Sequence, residues 1–185
     1  TFAPDSTAGG RNLILRFSTT QAIVAVLPLA PTAPDMTAST DLGISQTDNI
    51  TSDNAPQFSG TSLDAGTIQL YAGSTLVGTA AINGDGSWTV MPAAGLADGS
   101  YQVTAQVLDT AGDLGPASGP LTITIDTVAP TITASINPAD SNTGWYNIAT
   151  GPAVGQYTAS DNAGGSGLAS AAPGNVTFSD GAGQS

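Results

Sequence analysis

The sequence predicts an all-β chain built from tandem β-sandwich units. Three observations lead there. The chain has 23 Gly and 12 Pro, only 9% charged residues, and no Glu or Lys. Helix surfaces are normally filled with Glu, Lys, Arg and Gln, so helices have little to be made from. Apolar residues make up 40% of the 185 positions and arrive in short alternating runs, the period of a half-buried strand. Finally, Ala33-Pro34-Asp35-Met36-Thr37-Ala38-Ser39 returns as Ala129-Pro130-Thr131-Ile132-Thr133-Ala134-Ser135, with five of seven positions identical at a period of 96 residues. A period near a hundred with strand-like content fits one sandwich per repeat.

The elements follow in order. Residues 12–17 and 22–27 are strand-like and are assigned, within residues 1–31, to the C-terminal strands or linker of a preceding repeat. Residues 22–29 could instead complete an open domain in a neighbouring molecule by strand addition. A complete unit spans 32–127. Its strand 57–62 follows Pro56, and 67–72 places Ile68 and Leu70 on one face. Ala72-Gly73-Ser74 turns the chain into 75–82, and Asn83-Gly84-Asp85-Gly86 tolerates the positive φ of a hairpin turn before 87–91, where Trp88 and Val90 share a face. After the Asp98-Gly99 turn, 101–108 alternates Tyr101, Val103, Ala105 and Val107, and 121–125 alternates Leu121, Ile123 and Ile125. About seven short strands in ~95 residues make an Ig-like, Greek-key sandwich. Residues 128–185 read as a partial second Ig-like domain.

Composition excludes much chemistry. There is no His or Cys, hence no Ser-His or Cys-His nucleophile and no zinc, haem or iron–sulfur site of the usual kind. Without Lys there is no Walker lysine, Schiff base or Lys–Asn staple. A net charge of −12 with two basic residues, Arg11 and Arg16, argues against nucleic acid, which needs a basic patch. No run reaches the ~18 apolar residues of a membrane span, so no membrane insertion of this segment is expected.

The motifs Gly86-Ser87-Trp88-Thr89-Val90, Gly95-Leu96-Ala97-Asp98-Gly99-Ser100-Tyr101, Asp109-Thr110-Ala111-Gly112-Asp113 and Ile125-Asp126-Thr127-Val128-Ala129-Pro130 resemble, in order, the bacterial Ig-like repeats of giant biofilm-associated and RTX-type surface adhesins. Upstream, Asp41-Leu42-Gly43 and Asp48-Asn49-Ile50-Thr51 resemble the first loop of the same repeat. The chain departs from the family at Asp113, where Asn is usual, and at Pro31-Thr32-Ala33-Pro34, which lacks the Asp-Thr that Asp126-Thr127 supplies after the unit. Asn142-Thr143-Gly144-Trp145-Tyr146-Asn147, Ser160-Asp161 and Ser166-Gly167-Leu168 are similar to the first half of a second extracellular Ig-like repeat. The resemblance implies a non-catalytic stalk on a bacterial cell surface, with neighbouring Ig-like repeats of the same polypeptide, or other copies of it, as partners and Ca2+ between domains.

All fourteen acids are Asp. Calcium takes six to eight oxygens from carboxylates, carbonyls and Asn side chains, and short Asp suits a tight loop. Loops of such a sandwich gather at two poles. One pole is expected to gather Asp35, Asp109 and Asp113 with Asp64; the other, Asp41, Asp48, Asp98 and Asp126 with Asp53. No Lys or Arg occurs in 17–185 to neutralise them, so a divalent cation is the economical counterion. The metal-ligating candidates are Asp109, Asp113, Asp126, Asp41, Asp48, Asp35 and Asp53. Asp64, Asp85 and Asp98 read as turn residues, and Asp5, Asp140, Asp161 and Asp180 as solvated loop residues. Trp88 and Tyr101 read as core, Tyr101 in a tyrosine-corner position. The rival functions are a carbohydrate-binding accessory module of a secreted enzyme, which needs exposed aromatic rings, and a subunit of a surface filament or layer joined by strand exchange. A carboxylate-pair glycosidase is disfavoured because the Asp residues fall in turns without an aromatic cleft.

Overall fold

The computed structural model describes residues 13–17, 22–137, 154–167 and 175–177. All regular structure among them is β, and no helix among them is long and apolar enough to cross a membrane. The chain divides after Thr127 into two compact units.

Among the described residues of the first unit, the first elements are an antiparallel pair, β1 (Leu13–Phe17) and β2 (Ala22–Val26), in which Leu13 pairs with Val26 and Phe17 with Ala22. The sandwich follows. One sheet holds β3 (Asp35–Met36), β5 (Phe58–Thr61) and β8 (Ser87–Val90), in the order β3-β5-β8. The other holds β4 (Ile50–Thr51), β6 (Thr67–Ala72), β7 (Thr75–Ala81), β9 (Gly99–Leu108) and β10 (Leu121–Ile125), in the order β4-β10-β9-β6-β7. Every pairing is antiparallel except β4 with β10, which is parallel.

The alternation predicted from sequence decides which side chains face inward. Ile68, Leu70, Val103, Ala105, Val107, Ile123 and Ile125 from the larger sheet meet Met36, Phe58, Trp88 and Val90 from the smaller one, all buried. The two-residue turn between Ala72 and Thr75 has Gly73 at φ 61° in its first central position, where a tight hairpin accepts glycine most readily. Trp88 needs flat space across the smaller sheet, and Gly60, its cross-strand partner, provides it: a Cβ there would run into the indole ring. Tyr101 closes a tyrosine corner, its hydroxyl donating to the Ala97 carbonyl at 2.9 Å, the back-bond that marks this position in Ig-like sandwiches.

The second unit contributes an antiparallel sheet of β11 (Thr131–Asn137), β12 (Val154–Ser160) and β13 (Asn175–Thr177), in that order. A turn follows β12, where the Asp161 carboxylate accepts the amides of Asn162 and Gly167 at 3.0 and 2.7 Å. Asp5, Asp140, Asp180, Arg11 and the motif containing Trp145 lie outside the described residues.

Candidate functional site: a buried carboxylate at the outgoing pole

The loop from β3 to β4 is long, and its backbone groups must find partners. Thr51 organises it. Its hydroxyl donates to the Thr40 carbonyl at 2.6 Å and accepts the amides of Leu42 and Asp53, both at 3.0 Å. A turn at Thr37–Thr40, with the Thr40 and Asp41 amides donating to the Thr37 carbonyl, then delivers Asp41 under the loop. Asn49 adopts a left-handed φ of 60°, which Asn tolerates better than most residues. Its amide points at Asp41 Oδ2, 3.1 Å away. Asp48 Oδ1 accepts the Ile50 amide at 3.1 Å. The outgoing chain joins this assembly, the Asp126 amide donating to the Thr51 carbonyl at 2.9 Å.

Asp41 is thereby 1% exposed and Asp126 3% exposed. Asp41 Oδ1 is buried and has no hydrogen-bond partner. Buried polar atoms are normally paired, and an ionised carboxylate oxygen left bare costs far more than a neutral one. Burial accordingly pushes the Asp41 carboxyl up from its ordinary value; the Asn49 amide pulls it back down and the nearby Asp48 charge raises it further. A bare, buried, hard oxygen is the kind of donor calcium takes, and Asp41 supplies one such atom.

The other candidates take different places. Among the described residues no three carboxylates come together as a metal-binding group, so the clusters of three and four expected at the two poles do not form. Asp109 Oδ1 accepts the amides of Ala111 and Asp113 at 2.9 and 2.8 Å, and the Asp113 carbonyl accepts the Asp109 amide at 3.0 Å. That carboxylate oxygen is engaged in folding its own loop. Asp53 Oδ1 holds the Ala55 amide at 2.9 Å, and Asp35 is exposed on β3, paired with Ser59. Asp85 behaves as the turn residue expected: Ser87 donates to it through amide and hydroxyl, which holds its carboxyl below the ordinary value.

Two residues read as turn fillers do more. Asp98 Oδ1 accepts both the amide and the hydroxyl of Thr127. Asp64 Oδ2 accepts the Leu29 amide at 2.7 Å. The signal that could have found them is their position opposite the two ends of the unit, not their immediate neighbours. Trp88 is wholly buried and so offers no ring to a sugar, and Tyr101 is partly buried with its hydroxyl tied into its corner.

The family model described as a bacterial Ig-like domain matches residues 27–127, more than half of the chain. No curated protein matches it.

Proposed function

We propose, on the premise that this chain belongs to the bacterial Ig-like domain family, that it is a non-catalytic spacer of an extracellular bacterial surface protein. In this reading it carries adhesive or biofilm-forming parts away from the cell, next to further Ig-like repeats, and takes up Ca2+ at Asp41. Membership of the family supports a structural, surface-borne repeat. The observation that carries the calcium reading is the buried, unpartnered Oδ1 of Asp41. Asp41 would hold the ion, with Asp48, whose charge acts on Asp41, as a candidate for a further ligand. When bound, calcium supplies the positive charge that no side chain in 17–185 can supply. The protein's own part is to keep Asp41 dry beneath the Thr51-organised loop and to tie that loop to the outgoing strand.

Extracellular modules bind calcium at ~10⁻⁴–10⁻³ M. At free calcium tenfold above the dissociation constant a site adds about 1.4 kcal/mol to stability. The test is calorimetric titration and thermal melting of the full chain with calcium and with chelator. Wild type is expected to gain stability with calcium, and Asp41→Asn to lose that gain. Stoichiometry then decides whether Asp35, Asp53, Asp109 and Asp113 contribute a further site. A melt indifferent to calcium, with no heat of binding, overturns the reading.

A further inference from the structure

The segment that leads into the sandwich repeats proline every third residue, at Pro28, Pro31 and Pro34, and all three are buried, while Ala30, Thr32 and Ala33 between them are exposed. Three residues per turn is the period of polyproline II, which makes no hydrogen bonds of its own. Proline also has no amide, so a stripe of prolines can be buried without leaving donors bare. Two of the amides that remain find acceptors on the sandwich. Leu29 donates to Asp64 Oδ2 at 2.7 Å, Thr32 donates to the Thr61 carbonyl at 3.0 Å, and Thr32 Oγ1 accepts the Thr61 amide at 2.9 Å.

Asp64 is itself anchored, because Ser62 Oγ accepts its amide at 3.1 Å and donates to its carbonyl at 2.9 Å. At Pro28 the segment meets Gly115, where an added Cβ would lie 2.7 Å from the Pro28 carbonyl oxygen. Gly115 cannot easily retreat: its amide donates to Val107 and its carbonyl accepts Gln106 Nε2, both at 2.8 Å. The outgoing linker is different. One repeat later, Thr124 and Thr127 stand where Pro28 and Pro31 stood, and residues 127–130 are all exposed.

We infer that residues 28–34 are a strap docked on the sandwich by protein groups alone, with Asp64 as its positioning residue and Gly115 as its seat. The direction in which the preceding chain leaves the domain is then set without any cation, whatever calcium does at Asp41. The inference does not rest on the calcium reading.

Amide hydrogen exchange of the full chain in chelator tests it. The Leu29 and Thr32 amides are expected to be protected in wild type, and calcium to leave them unchanged. Asp64→Ala should speed exchange at Leu29 roughly tenfold or more, the loss of a hydrogen bond to a charged acceptor, and leave the Ile68 and Val103 amides as they were. Asp64→Asn keeps an oxygen acceptor and should retain most of the protection. Gly115→Ala, which leaves Asp64 untouched, should expose Leu29 and Thr32 together. Leu29 exchange that is unaffected by both Asp64→Ala and Gly115→Ala, or protection that appears only when calcium is added, overturns the inference.

Discussion

Asp98 Oδ1 lies 3.0 Å from the Thr127 amide nitrogen and 2.9 Å from the Thr127 hydroxyl oxygen, holding the last residue of the sandwich unit against the turn before β9. Two donors of Thr127 on one carboxylate oxygen 29 residues away in sequence fix where the chain departs. Asp98→Ala is expected to lower stability by about 1 kcal/mol, the usual worth of such exposed bonds, read from the urea midpoint. Exchange at the Thr127 amide should rise while the core amides stay protected.

The buried carboxylate gives a pH signature. Burial raises the Asp41 carboxyl above its ordinary value, so the folded chain binds this proton more tightly than the unfolded chain. In chelator, its effect is most favourable in acid and is lost as pH rises through the ordinary Asp value toward the folded one. Asp41→Asn removes that component. The difference between wild-type and variant urea midpoints, followed from about pH 3 to pH 7, should therefore shift in favour of the variant as pH rises.

Gly60 is predicted to be intolerant of a side chain. A methyl group there collides with the Trp88 ring, and Trp88 is fully buried between the sheets. Overpacking of this kind costs roughly 1–3 kcal/mol. Gly60→Ala should lower the denaturant midpoint accordingly and alter the near-ultraviolet circular dichroism of Trp88.

Tyr101→Phe keeps the ring and removes the hydroxyl that donates to Ala97. The expected loss is about 1 kcal/mol, with the effect on amide exchange concentrated at 96–101. A denaturant midpoint unchanged by the substitution would mean that the ring, not the corner bond, carries the contribution.

Much of the architecture was legible because alternation and turn chemistry agreed along the middle of the chain. Ile68 and Leu70, Trp88 and Val90, and Val103 through Val107 announce their faces in the sequence, and each is buried as its run predicts. The strands β3 and β4 were not legible, since two residues are too few to show a period and both are held at sheet edges by backbone pairing. The poles were harder still. A carboxylate's role there depends on what the fold brings beside it: Asp64 meets a residue 35 positions away and Asp98 one 29 away. Asp41 carries no local mark of burial; only the Thr51 hydroxyl network puts it beneath the loop. The three-residue spacing of Pro28, Pro31 and Pro34 was in plain view but belongs to neither the helical nor the strand period used to read the chain.

The parallel pairing of β4 with β10 bears on how the unit responds to being stretched. Thr124 donates to Asn49 and Asp126 to Thr51, each at 2.9 Å, across strands that run the same way, β10 being the last strand of the unit and β4 coming after the strap and β3. Once tension has passed the strap and the β3–β5 pairing, it drags β4 and β10 past one another, so both bonds are loaded in shear and must rupture together instead of unzipping in turn. A short edge strand that adds little to equilibrium stability can thus be the place where tensile strength resides.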